Sequence, residues 1–339
     1  MSRAHSGVSW RRDRPVPSPA RLSVHALVVS NMAPSPANPG RGSFVRDQVA
    51  ALRRIAGLEV ELFEFAPGAG AYPLAALRLR RRYATDRFDV VHAHFGLTAW
   101  PALALRGPAH VVTLHGTDLR HPRTRRLTLA ALRRMDLVAT VSESLAAELP
   151  ATTAPVAILP CGVALDRFRP IPREAARLAL GLDPARPYLL FPADPSRRLK
   201  RFDRARELAG DVQLLTLGAT APDHVTLAIN AANAVLVPSD AEGYGLAVLE
   251  ALACDVPVLA TAVGVHSLAL HGIAGTLCAP YDRERWAAAL APLLSATDPR
   301  IAGRERAREF STELMAERVV EAWRSLAPRS PARELPADG

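Results

Sequence analysis

Residues 234–253 constrain this chain more than any other stretch. An apolar strand, Ala234 to Val237, runs into the polar turn Pro238-Ser239-Asp240-Ala241-Glu242-Gly243-Tyr244-Gly245. The turn opens a helix, Leu246 to Ala253, that is apolar almost all round except for Glu250. A carboxylate on such a helix must find donors or carry a large desolvation cost. The turn also presents free backbone N–H groups at the positive end of the helix dipole, which suits an anion. The stretch therefore reads as a phosphate seat flanked by two acceptors, Glu242 and Glu250. A ligand carrying phosphates and several hydroxyls would satisfy it.

The rest of the chain alternates short apolar runs with helical periodicity. Strands are expected at 22–29, 58–65, 89–92, 110–114, 137–140 and 156–159, with helices between them. A Pro- and Arg-containing link spans 164–186. A second alternation begins at Tyr188, with strands at 188–191, 212–217, 234–237, 256–260 and 276–278, and ends in helices at 283–294 and 304–326. Such alternation argues for parallel sheets covered on both faces. The expected fold is α/β, with two doubly wound domains and a ligand cleft at the carboxyl ends of their strands. The expected organisation is a disordered basic tail at 1–20, one domain at 21–168 and a second at 169–302. Helices at 303–326 are expected to pack back toward the first domain, and a disordered tail follows at 327–339.

At 339 residues the chain has room for two ordinary domains. No apolar run approaches the ~18 residues of a membrane helix. The N-terminus has no apolar core of the kind a signal peptide needs. Three scattered cysteines, Cys161, Cys254 and Cys278, fit reduced thiols better than a disulfide frame, so a cytoplasmic location is expected. No spacing suggests a metal site.

The net charge of +9 is uneven: residues 1–168 hold 22 Arg against 12 Asp and Glu, and the remainder is nearly neutral. A basic first half suits an anionic partner, either a membrane surface or a phosphorylated acceptor, or is simply a solvated face. The expected helix at 72–83 carries Arg78, Arg80, Arg81 and Arg82 and has the same two readings. Lys200 is the one lysine among 42 basic residues. A compact ammonium on a flexible stem is what phosphate sites often use.

With these residues on the page, the chain resembles the retaining family-4 glycosyltransferases of the GT-B fold. The resemblance rests on Glu242 and Glu250 within Pro-Ser-x-x-Glu-Gly-Tyr-Gly-Leu-x-x-x-Glu-Ala-x-Ala, and on Pro257-Val258, Thr261 and Gly264 after it. His115-Gly116-Thr117-Asp118, Val141-Ser142 and the run from Gly162 to Pro170 extend it over about residues 22–326.

The resemblance implies transfer of a sugar from a nucleotide-sugar donor to a glycan, lipid or small-molecule acceptor, as in envelope or extracellular polysaccharide or glycolipid synthesis. It implies no metal or other cofactor and no nucleic-acid partner. Glu250 would accept from ribose hydroxyls and Glu242 would hold sugar hydroxyls. Backbone N–H groups of Gly243, Tyr244, Gly245 and Leu246 would face sugar and diphosphate. Lys200 would clamp the diphosphate, with Arg197 or Arg198 replacing an arginine whose usual position is Pro195. His115 would sit near the reacting sugar, and with Glu242 it forms the candidate catalytic pair. Gly40 and Gly42 match the family's first-loop glycines loosely. The second domain is shorter than usual between Lys200 and Ala234. The rival reading is a nucleotide-sugar-binding or scaffold protein on the same fold, without turnover.

Overall fold

The structure, a computed structural model, describes residues 23–218 and 220–326. Both expected tails lie outside the described residues. Six strands form the first sheet: β1 (Val24–Ser30), β2 (Leu58–Glu64), β3 (Val90–His94), β4 (Ala109–Leu114), β5 (Leu137–Thr140) and β6 (Val156–Ile158). Five form the second: β7 (Tyr188–Phe191), β8 (Gln213–Thr216), β9 (Ala234–Val237), β10 (Val258–Ala260) and β11 (Leu277–Cys278). Every pairing is parallel. All residues of β3, β5, β7 and β9 are buried, as expected of strands with helices on both faces.

The two sheets share one topology. The first runs β2-β1-β3-β4-β5-β6, and the second, read from its other edge, runs β8-β7-β9-β10-β11. In each, the second strand lies outside the first and the order then reverses. Open parallel sheets bind ligands at that reversal, beyond the carboxyl ends of the strands. The loops leaving β1, β7 and β9 are therefore the ones that matter. They begin at Asn31, Pro192 and Pro238. Sheet two has only β8 between β7 and β9, which is the shortening expected from the sequence.

The expected strand at 89–92 runs on to His94, because its register on β1 and β4 continues through His92, Ala93 and His94. The helix expected between the strands at 89–92 and 110–114 is a 3-10 turn, Gly96–Thr98, followed by the short helix Ala99–Ala102. Gly96 is required there, since a β-carbon on it would lie 2.3 Å from the Thr128 side chain.

The end of the chain divides its packing. Helix Gly303–Arg308 stays with the second domain, and a β-carbon on Gly303 would lie 2.8 Å from the Leu252 carbonyl oxygen. From Thr312 the chain returns to the first domain. Val163 N–H donates to the Phe310 carbonyl at 2.8 Å, and Thr312 N–H donates to the Val163 carbonyl at 3.1 Å. Helix Thr312–Leu326 then lies against helix Ser43–Arg53. Its Trp323 is fully buried in the first domain's core, and the indole N–H donates to His92 Nδ1 at 3.1 Å. Trp323→Ala is expected to lower the unfolding free energy by about 3–5 kcal/mol. Trp323→Phe, which keeps most of the packing and loses the hydrogen bond, should cost less. Chemical denaturation measures both.

Candidate functional site

The carboxyl edges of the two sheets face each other and touch. Gly243, in the turn after β9, lies so close to the loop after β4 that a β-carbon would sit 2.2 Å from the His115 carbonyl oxygen. A β-carbon on Gly116 would lie 3.3 Å from the Gly243 α-carbon. Two main chains meet here with no room for a side chain between them. Arg120 ties the same contact from the side. It donates through Nη1 to the Glu242 carbonyl at 3.1 Å, and through Nε and Nη2 to the Glu148 carboxylate.

Beside the contact lies a closed charge cluster. Lys200 Nζ meets Glu242 Oε2 at 2.5 Å, and Ser239 Oγ donates to Glu242 Oε1 at 2.7 Å. The Glu242 side chain is 7% exposed and the Lys200 side chain 17%. Burial alone would push the Glu242 carboxyl up. The Lys200 ammonium, with hydrogen bonds from Lys200 and Ser239, outweighs burial and holds it below its ordinary value. The backbone N–H groups of Gly243, Tyr244, Gly245 and Leu246 have no acceptor among the described residues. The Tyr244 side chain is buried in the core that both domains share. Gly245, at φ +108°, is held by both its conformation and its surroundings, since a β-carbon would lie 2.5 Å from His266 Nε2.

His115 stands across from this cluster at the mouth of the first domain. Its backbone N–H donates to Asp118 Oδ2 at 2.6 Å, and Gly96 N–H donates to Asp118 Oδ1 at 2.8 Å. Burial pushes the Asp118 carboxyl up, against these backbone hydrogen bonds, which favour its ionised form. The His115 ring shares a hydrogen bond at 3.0 Å between its Nε2 and His94 Nδ1. His92, His94 and His115 form a stack, with centroids 4.9 Å and 5.3 Å apart. Burial, and the neighbouring imidazole of His94, push His115 well below its ordinary value, so the ring is neutral.

A second group lies a few residues along the same helix. A cavity of about 240 Å³ opens between the domains and is lined by Gly40 and Ser43 from the first domain, Arg167 from the link, and Arg197, Gly218 and Glu250 from the second. Gly40 spans the gap, since a β-carbon on it would lie 3.9 Å from the Thr220 carbonyl oxygen. Gly42 has a different task. It starts helix Ser43–Arg53 at φ +72°, where a β-carbon would strike the Met32 carbonyl at 2.4 Å.

Glu250 is the notable member of this cavity. Among the described residues its carboxylate takes part in no hydrogen bond and no ion pair. The arginine nearest to its charge, Arg167, is committed elsewhere, in a bidentate pair with Asp47 at 2.9 Å and 2.6 Å. Burial pushes the Glu250 carboxyl up to about 7, Arg167 works against the rise, and Asp47 adds to it. A carboxylate held without donors is costly, and a ligand hydroxyl would relieve that cost.

The structure thus sorts the expected site residues. It gathers Lys200, Glu242, Gly243 and His115 around one contact, and Gly40, Arg197 and Glu250 around one cavity. Arg198 is exposed and lines neither. Arg167, Asp47, Arg120 and His94 were not picked out from the sequence, and Asp118 entered only as part of the His115-Gly116-Thr117-Asp118 turn. For Arg167 the signal was available, since it lies inside the motif that runs from Gly162 to Pro170. Among the described residues no cluster of His, Cys, Asp and Glu is arranged to hold a metal ion.

The family described as Glycosyltransferase Family 4 matches residues 21–167, and the family described as Glycosyl transferases group 1 matches residues 189–296. A D-inositol 3-phosphate glycosyltransferase of Mycobacterium avium is 30% identical, with 70% of this chain and 68% of that protein covered. The chain belongs to glycosyltransferase family 4. A D-inositol 3-phosphate glycosyltransferase of Actinosynnema mirum is 29% identical and covers 89% of this glycosyltransferase and 87% of its own length. The fold agrees. Sucrose-phosphate synthase from Thermosynechococcus elongatus superimposes with a TM-score of 0.69 over 89% of this chain and 99% of that one, at 20% identity. Anabaena HepE, solved in complex with UDP and glucose, does so with a TM-score of 0.66 over 88% and 99%, at 15% identity. The architecture is GT-B, two Rossmann-like domains facing across a cleft.

The bare Glu250 carboxylate has a consequence for stability. Between the ordinary carboxyl range and about 7 the folded protein keeps a proton that the unfolded chain has lost. Stability is therefore lost as the pH rises through that window. Glu250→Gln is expected to raise Tm at about pH 8, with the gain shrinking toward about pH 5. Thermal melts of both proteins at the two pH values check this; a variant that melts below the parent at about pH 8 would mean that the carboxylate has a partner.

Proposed function

We propose that this glycosyltransferase moves a glycosyl group from a nucleoside-diphosphate sugar to a hydroxyl of a phosphorylated polyol, with retention at the anomeric carbon and without a metal. The observation that carries the donor reading is Glu250, a half-buried carboxylate with no partner among the described residues, facing a cavity between the domains. A ribose supplies two adjacent hydroxyls, which is what such a carboxylate lacks. The complexes of Anabaena HepE with UDP and with UDP-glucose support the same class of donor. The acceptor class is supported by the relatives from M. avium and A. mirum, both named D-inositol 3-phosphate glycosyltransferases.

In this reading the diphosphate lies between the ribose at Glu250 and the free N–H groups of Gly243 to Leu246. The helix N-terminus and Arg197 meet its charge. The leaving nucleoside diphosphate gains negative charge as the glycosidic bond breaks, and donors already in place stabilise it without reorganising. Lys200 spends its charge on Glu242 in the structure. A bound diphosphate would compete for it and free Glu242 for the hydroxyls of the sugar. His115 is tied through Nε2 to His94, which leaves Nδ1 for a hydroxyl of the sugar or of the acceptor. Its backbone is locked by Asp118, so the ring is held in place before substrate arrives. Arg120 and Gly243 keep the two domains at the separation this requires.

Glu250→Ala is expected to weaken donor binding about a hundredfold, the loss of two charge-assisted hydrogen bonds. Calorimetric titration with UDP-, GDP- and ADP-sugars measures it, and unchanged affinity would mean that the site is misassigned. Turnover with inositol 3-phosphate should give an axial or equatorial anomer matching that of the donor, read from the anomeric proton coupling by NMR. Saturable donor binding with no turnover on polyol phosphate, glycan or lipid acceptors would support a binding or scaffold protein instead.

A further inference from the structure

We propose that one flank of the first domain docks the protein onto bilayers rich in anionic lipid. The flank is built by helices Ala71–Arg82, Ala99–Ala102 and Pro122–Leu132, which pack side by side on one face of the first sheet. It lies away from the cavity at Glu250, and the inference stands independently of the proposed reaction.

The basic excess of the chain is concentrated here. Residues 66–135 contain 12 arginines and 3 aspartates, and no lysine or glutamate. One of those aspartates, Asp118, is buried and engaged with backbone N–H groups. The helix Ala71–Arg82 turns Ala75 and Leu79 inward and leaves Leu74 and Leu77 outward, each 45% exposed, in line with Arg78 and Arg81. The helix Pro122–Leu132 buries Thr128, Ala131 and Leu132 and presents Leu127, 54% exposed, beside Arg123 and Arg126. Between the two helices stands Trp100. Its indole N–H donates to the Leu127 carbonyl at 3.1 Å, and the Arg134 guanidinium lies 5.2 Å over its ring.

At the far end of the first helix is a cleft of about 510 Å³. Arg80, Arg87 and Arg106 line it, with Tyr83, Phe88 and Leu105, and Asp86 is its one acidic residue. None of those three guanidinium groups makes a hydrogen bond or ion pair among the described residues. Three uncommitted guanidinium groups around one cleft suit a lipid phosphate, since the fork of arginine matches phosphate oxygens.

Leucines projecting from a basic, tryptophan-bearing face distinguish a bilayer from a soluble polyanion. Nucleic acid would use the arginines and leave the leucines in water. A bilayer uses both, because apolar side chains enter the acyl boundary while cations meet the headgroups. Among the described residues no helix is long and apolar enough to cross a membrane, so the attachment would be peripheral.

The test is co-sedimentation of the full chain with vesicles of phosphatidylcholine alone and of phosphatidylcholine with about 30% phosphatidylglycerol. Binding is expected only to the second, and should fall about tenfold or more between 0.05 M and about 0.3 M salt. Leu74→Ser with Leu77→Ser, and separately Arg80→Ala with Arg87→Ala and Arg106→Ala, should each weaken it about tenfold. Leu178→Ser, at an exposed leucine in the link, should not. These positions are on the surface, and circular dichroism with retained donor binding confirms that the variants fold. Equal binding to neutral vesicles, no binding to either, or unaltered binding by both variants would overturn the proposal. So would retention on heparin or RNA, unaffected by the leucine substitutions, in a protein that ignores vesicles.

Discussion

Gly243 meets the His115 carbonyl at a distance that admits no β-carbon. That contact joins the carboxyl edge of one sheet to the carboxyl edge of the other, and it sets what the cleft can be. Arg120 reinforces it by reaching from the first domain to the Glu242 carbonyl. With the edges pinned there, Gly40 comes within reach of Thr220 across the gap, and the space left between them is the cavity at Glu250. The return of the last helix to the first domain, through Val163 and Thr312, braces the same arrangement from behind. Two backbones touching, rather than two side chains, make the geometry insensitive to rotamer choice.

The two groups in the cleft differ in electrostatic state, and the difference is informative. Glu242 is satisfied: Lys200 and Ser239 supply donors, and its carboxyl is held below the ordinary value despite burial. Glu250, about one turn into the helix that follows, has no partner among the described residues and is pushed up to about 7. One carboxylate is thus part of the resting structure, and the other is kept open at a cost to stability. A protein maintains such a cost where a ligand relieves it.

Much of the fold was legible in the chain. Short apolar runs alternating with helices imply parallel sheets, and the strand positions followed because buried parallel strands need little beyond a run of β-branched and aliphatic residues. The shared topology of the two halves was not legible as a repeat, since the same sheet order tolerates unrelated residues at nearly every position. At the site, the sequence placed the isolated carboxylate at Glu250 and the singular lysine at Lys200. It did not reveal that Lys200 pairs with Glu242, because that contact depends on β7 and β9 lying side by side, which brings together the loops that leave them. Nor did it single out Arg173 and Arg177, which are buried in the link. They donate to the carbonyls of Ala232 and Ala231, and Arg173 also pairs with Asp298 at 2.6 Å, so both tie the link to the second domain. Nor did it point to His94, whose hydrogen bond to His115 brings it to the edge of the site, a partnership set by the register of β3 on β4.

The central claim is that Glu250 awaits ribose hydroxyls, and a structure of the protein with a nucleoside-diphosphate sugar bound tests it most directly. The account predicts both ribose hydroxyls within about 3 Å of the Glu250 carboxylate. It also predicts the diphosphate against the N–H groups of Gly243 to Leu246, and Lys200 drawn from Glu242 toward phosphate. A donor seated elsewhere, with Glu250 still bare, would contradict it.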